Sequence, residues 1–212
     1  MSPRHPRHRT DKAAPISVSL LLGFIGFILF FLYDINSFTR QNRLLGYSFY
    51  AGCLLLVLAT AADLIAAVRA GAIASLSDYI LLAGAVLSFA ALIWCLFFAI
   101  PFDDTYVDPS LGRRVCDTGV YALCRHPGVL CFTDLYLTLG IAAYPTALLR
   151  NGMIFSALNL LYVILQDRIT FPRTFSDYAD YRRRVPFLLP TKASIRRALR
   201  TMSRCGRKED SK

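Results

Sequence analysis

The chain has 212 residues, enough for one domain, with 55% hydrophobic and only 18% charged residues and a mean hydropathy of +0.45. Soluble domains run at about 45–50% apolar and about 25% charged; here the excess gathers in long runs, which excludes a soluble enzyme, a disordered chain and a coiled coil. Lys and Arg number 24 against 14 Asp and Glu, a net charge of +10, and these bases collect at the chain ends beside apolar runs, so a membrane surface is the expected partner and nucleic acid is not.

Residues 1–15 form a basic arm carrying Arg4, Arg7, Arg9 and Lys12. A helix needs about 20 apolar residues to cross a bilayer core, and four runs reach that length: 16–33, 44–68, 79–100 and 129–149. The first is not a signal peptide, since no small-residue cleavage site follows it and Phe30, Phe31 and Tyr33 are bulky. It either spans or is re-entrant. A fifth run, 152–165, is shorter and follows Arg150-Asn151-Gly152, which reads as a tight turn. The fold class is therefore all-α: a polytopic membrane bundle of about five transmembrane helices, three of them in residues 16–100. The last two form a C-terminal hairpin within a core spanning 101–190. The bias of Lys and Arg toward the third loop and the tail puts those segments in the cytoplasm of a bacterial inner membrane or endoplasmic reticulum protein. In 194–204, Ile195, Ala198, Leu199 and Met202 stand opposite Arg196, Arg197, Arg200 and Arg204, the pattern of a helix lying in an anionic membrane surface.

Six cysteines, Cys53, Cys95, Cys116, Cys124, Cys131 and Cys205, form no C-x-x-C pair and no metal-finger spacing. Reduced thiols are expected and no metal site. Two polar segments flank the last hairpin. One contains Tyr121 and Arg125-His126-Pro127; the other contains Gln166-Asp167, Tyr178 and Tyr181, then Val185-Pro186 and Pro190. A hairpin brings its ends together, so these groups can share a site at the membrane face. Two acids lie inside apolar runs, where acids are costly and often functional. Asp63 is near enough to Arg69 to reach the interface; Asp134, two turns beyond His126, is a candidate pocket wall or base.

The order T-G-V-Y-x-x-x-R-H-P, apolar hairpin, acidic pair, Y-x-x-Y and V-P-x-x-x-P over residues 117–190 resembles the C-terminal half of the isoprenylcysteine carboxyl methyltransferases. It is also similar to the phospholipid methyltransferases. The resemblance implies S-adenosylmethionine as cofactor, held by Tyr121, Arg125, His126, Pro127, Gln166 and Asp167, and a lipophilic acceptor entering from the bilayer near Tyr162, Tyr178 and Tyr181. Arg and His suit the cofactor's carboxylate, while carboxylate and amide suit its ribose and amine. If the acceptor is an amine, Asp134 or Asp167 takes its proton; a carboxylate acceptor needs no base. The chain departs from the family at Val129, where an aromatic is usual, at Gln166, where a carboxylate is usual, and at Tyr162, where the prenylcysteine enzymes carry an arginine. Pro172 is expected to interrupt the helix after the pair. The loss of that arginine turns the expectation from a prenylated cysteine toward a lipid amine or a hydrophobic acid. A non-catalytic protein that keeps the scaffold is the alternative.

Overall fold

A computed structural model describes residues 17–39, 42–97 and 114–205, with side chains to Thr201. The basic arm, residues 98–113 and the last seven residues lie outside it, and so do the side chains of Met202, Arg204 and Cys205. Among the described residues all regular structure is helical: α1 Val18–Phe38, α2 Arg43–Gly46, α3 Ser48–Arg69, α4 Leu76–Phe97, α5 Val120–Leu123, α6 Pro127–Ala142, α7 Ala147–Leu165, α8 Phe171–Thr174, α9 Tyr178–Arg184 and α10 Lys192–Cys205. Four stretches are long and apolar enough to cross a membrane: Val18–Phe38, Arg43–Arg69, Leu76–Phe97 and Ala147–Thr174. The apolar α6 is shorter, 16 residues or about 24 Å. The protein is a polytopic membrane bundle.

Three of the helices start where the sequence supplies a side-chain cap. Ser17 accepts from the Leu20 N–H at 3.3 Å, Asn42 from Leu44 at 2.8 Å and Thr146 from Leu148 at 3.4 Å, using donors that the first turn leaves free. The hairpin corrects its expected boundary. The chain turns at 143–146, around Pro145, and Arg150-Asn151-Gly152 lie inside α7. Proline has no N–H for the helix, so it ends α6 inside a stretch whose hydropathy runs on without a break.

The first run extends to Phe38, with Asp34 and Asn36 buried. Pro172 does not interrupt the helix as expected. The chain passes from α7 through a π-helical turn, Gln166–Thr170, into α8. That wider turn carries one extra residue and re-phases the faces on either side of it.

α1 packs along α3, α4 along α6, and α7 against α6, α1 and α3. At the α1–α3 seam a Cβ on Gly52 would sit 2.8 Å from the Gly26 carbonyl oxygen and 2.7 Å from the Phe30 ring. Only glycine allows that approach, the small-residue packing that membrane helices use in place of a hydrophobic drive. One core joins Phe27, Phe30, Leu56, Phe132, Tyr136, Phe155 and Tyr162; a second joins Ala67, Ala85, Leu139 and Leu148. Toward the end of the bundle that carries Arg125 and Asp167, α3 and α4 enclose a cavity between them.

The tail helix α10 corrects the simple picture of a helix lying flat. Ala198 and Ser194 are buried, and Thr201 accepts from the Gly119 N–H at 3.0 Å, so one face braces α5. Ile195 and Leu199 remain exposed, an apolar stripe suited to lipid.

Candidate functional site

The hairpin does bring its flanking segments together. Asp167, on the π turn, is almost fully buried, and its Oδ1 lies 2.7 Å from Arg125 Nη1 and 3.5 Å from His126 Nε2. Tyr178 donates its hydroxyl to the same oxygen, and Arg182 approaches Oδ2 at 3.7 Å from the exposed side. Burial, and then this hydrogen bond, push the Tyr178 phenol above its ordinary range and keep it a donor.

Arg125 and His126 are held by the tail. The Arg125 N–H donates to the Pro186 carbonyl at 2.9 Å. Phe187 then lies under the Arg125 guanidinium at 5.4 Å and edge-on to the His126 ring at 5.1 Å. The other face of His126 stacks on Phe171 at 5.8 Å. Held this way, Arg125 Nε and Nη1 and His126 Nε2 are buried, with Asp167 Oδ1 beside Nη1 and Nε2 and no hydrogen bond besides those ion pairs. Buried donors left open cost about 1–3 kcal/mol each.

The loop before them is set by Gly119, at φ 57° and ψ −130°, a conformation open to glycine and strained for other residues. Tyr121 follows, its hydroxyl donating to the Cys95 carbonyl at 2.7 Å while its own carbonyl accepts from Tyr181 at 2.8 Å. Burial pushes both phenols up. Tyr178 and Tyr181 are buried together with Val185, so Y-x-x-Y here clamps the tail onto α5 and the Asp167 turn. Pro127 opens α6 at its first turn, where the missing N–H costs nothing.

These groups border a cavity of about 1040 Å³. Arg125, His126, Pro127, Tyr121, Tyr162, Gln166, Tyr178 and Tyr181 all line it, and so does Val129. Its walls continue down α3 and α4 through Val57, Val86 and Phe89, apolar residues with about half or more of their surface exposed.

Asp134 is not part of it. The side chain is exposed and accepts from Ser88 on α4, because eight residues of helix turn it about 80° from the N-terminal groups. Asp63 is buried, and accepts from Asn151 at 2.7 Å, with Ser19 beside it. The acid that does line the cavity is Asp34 of α1, one residue beyond the apolar run 16–33. It accepts from Gln166 at 3.3 Å and Thr170 at 3.5 Å, and Gln166 donates as well to Tyr162 at 2.8 Å. Gln166 and Tyr162, two of the departures from the family pattern, are thus one hydrogen-bonded unit facing a carboxylate on another helix. Of the described cysteines all five are free; Cys95 and Cys124 are buried, and Cys53, Cys116 and Cys131 half-buried. No group of three or more His, Cys, Asp or Glu among the described residues is placed to hold a metal ion.

No family model matches the chain, and no solved structure does. Two curated proteins are similar to it. One is the cobalt-zinc-cadmium resistance protein CzcN of Cupriavidus metallidurans, 28% identical over 109 residues, 50% of this chain and 46% of that protein. The other is the nickel-cobalt-cadmium resistance protein NccN of Alcaligenes xylosoxydans xylosoxydans, 25% identical over the same share. The chain spans about half the length of these relatives.

Proposed function

We propose that the protein is a membrane methyltransferase that uses S-adenosylmethionine and methylates a lipophilic acceptor drawn from the bilayer, at a site facing the cytoplasm. The observation that carries this is the set of nitrogens on Arg125 and His126, buried in the cavity wall with no hydrogen bond besides their ion pairs to Asp167, set against apolar walls that run down α3 and α4. An anionic group would satisfy them, and a cofactor carboxylate is of the right size and charge. Asp167 does not itself line the cavity and balances part of the positive charge from behind it, while the Gln166 amide, which does line it, suits a ribose hydroxyl or an amine.

When bound, the cofactor supplies an electrophilic methyl group. The chain's own part is to position and to exclude water. Arg125, His126 and Asp167 fix the polar end; Phe171 and Phe187 hold the imidazole rigid; the tail from Tyr178 to Phe187 covers the polar end from the water side. The apolar walls of α3 and α4 admit the acceptor from the membrane.

Binding of S-adenosylmethionine to purified protein in micelles tests this. Wild type is expected to bind, and His126→Ala, still monodisperse and helical, is expected to lose binding at least about tenfold. No binding by wild type would overturn the proposal.

A second reading has support from the relatives, whose names assign them to metal resistance: a membrane protein of that role which keeps the scaffold without transferring methyl groups. Expression in a metal-sensitive bacterial host separates the two. Cobalt, zinc or cadmium tolerance conferred equally by wild type and His126→Ala would favour the non-catalytic role; tolerance conferred by wild type alone would favour the enzyme.

A further inference from the structure

Asp34 lines the cavity, and among the described residues no ion pair to it is found. It is 6% exposed, and its partners are neutral: the Gln166 amide, the Thr170 hydroxyl and the Tyr162 phenol. The ion pairs among the described residues use Asp117, Asp167, Asp177 and Asp180. A buried carboxylate with neutral partners gains strongly from an opposite charge.

The wall around it has the matching chemistry. Phe30, Tyr33, Phe49 and Tyr162 line the same cavity and touch in series, Tyr162 to Phe30 at 5.7 Å, Phe30 to Phe49 at 5.5 Å and Phe49 to Tyr33 at 5.4 Å between ring centres. Aromatic faces beside a carboxylate recognise an ammonium group. Apolar wall then leads from this point down α3 and α4 toward the lipid, where an alkyl chain fits. The π turn keeps two poles apart. Gln166 and Thr170 face Asp34, while Asp167 and Phe171 face Arg125 and His126. One pole suits an anion and the other a cation.

We infer that Asp34 and the aromatic wall of Phe30, Tyr33, Phe49 and Tyr162 form a subsite for the cationic head of a lipophilic amine. The inference rests on the methyl-transfer proposal for its role there, and it makes the methyl acceptor an amine and not a carboxylic acid. An ammonium is not a nucleophile. The carboxylate that binds it also takes one N–H proton, leaving a neutral amine beside a neutral acid.

The test needs no turnover. Full-length protein in maltoside micelles, without cofactor, is titrated calorimetrically with decylamine, decyltrimethylammonium, decanol and decanoate. Both cations are expected to bind at least about tenfold tighter than decanol, with decanoate weakest. Asp34→Asn should bring cations and decanol within about threefold of each other. Phe49→Leu, which keeps the acid, should weaken decyltrimethylammonium more than decylamine; with the wild-type series it decides the matter if Asp34→Asn does not fold. Equal binding of cations and decanol by wild type, or an unchanged preference in Asp34→Asn, overturns the inference. S-adenosylmethionine is titrated into the same proteins. Wild type that binds cofactor but shows no amine preference sinks the subsite and leaves the methyl-transfer proposal standing, and a loss of cofactor in Asp34→Asn would then assign the acid to the cofactor. Amine preference without cofactor binding does the reverse.

Discussion

Gln166 donates its side-chain amide to the carboxylate of Asp34 at 3.3 Å, and that bond ties the last long helix to the first. A carboxylate at position 166, usual in the family that the sequence resembles, would point at another carboxylate here. The carboxylate here stands on α1, and a neutral donor faces it from the π turn.

Gln166→Glu is therefore expected to destabilise the protein and not to improve cofactor binding. The substitution removes a donor to a charged group, about 1.5–3 kcal/mol, and sets a half-buried carboxylate against a buried one. Combining it with Asp34→Asn restores one donor and one acceptor in reversed order, and should recover at least half of the loss. Thermal unfolding of the three variants in micelles measures this cycle. A double variant no more stable than Gln166→Glu would show that the two side chains do not act together.

Asp167 offers a sharper contrast. Its side chain is 5% exposed and that of Arg125 9%, so Asp167→Asn leaves a buried guanidinium without its counter-charge, at a cost of about 3–5 kcal/mol. Tyr178→Phe removes one hydroxyl donor and leaves the ion pair in place, so it should cost about 1–2 kcal/mol. Unfolding midpoints in the order wild type, Tyr178→Phe, Asp167→Asn are expected. Equal losses would mean that the phenol and not the ion pair holds the turn.

At the α1–α3 seam, Gly52→Val should separate two helices that both line the cavity. The added atoms meet the Gly26 carbonyl oxygen and the Phe30 ring well inside contact distance, an overpacking worth about 1–3 kcal/mol. Gly46, with nothing within 4 Å of an added Cβ, is the control, and Gly46→Ala should be neutral or slightly stabilising. Binding of decyltrimethylammonium, which needs Phe30 of α1 and Phe49 of α3 together, should fall in Gly52→Val alone.

Hydropathy made the membrane bundle legible, because long apolar runs have few other uses. It could not place the hairpin turn, since Tyr144 and Pro145 sit in a stretch as apolar as the helices around it; the missing proline N–H was the better signal. Arg125, His126 and Asp167 could be brought together on paper because a hairpin must return to its starting side. Asp34 could not, as an acid at the end of an apolar run reads as the start of a loop, and only the extra turn of α1 to Phe38 buries it. The opposite error befell Asp134, whose place in an apolar run suggested use while helix rotation carries it outward. Phe187 was hidden inside V-P-x-x-x-P, where the prolines drew notice and the ring that packs on His126 did not.

The two cysteines of the segment before α6 report on both sidedness and burial. Cys116 is half-buried on the polar side of the bundle, whereas Cys124 is buried, and that burial pushes its thiol up to about 11. Only the thiolate attacks a maleimide. At pH 8 about one Cys124 in a thousand is ionised, so its labelling in micelles should be slow and should rise about tenfold per pH unit, still climbing at pH 10 where an ordinary thiol of pKa about 8.5 has levelled off. The raised value moves reactivity to higher pH, the sign expected when burial disfavours the charged form. In a variant retaining Cys116 alone, an impermeant maleimide should react in inside-out vesicles and not from the outside of intact cells, if the Lys and Arg bias sets the orientation and puts the third loop and the basic tail in the cytoplasm. Reaction from outside would reverse the orientation. It would carry Arg125, His126 and Asp167 away from the compartment that holds the cofactor, and the methyl-transfer proposal would fall with it.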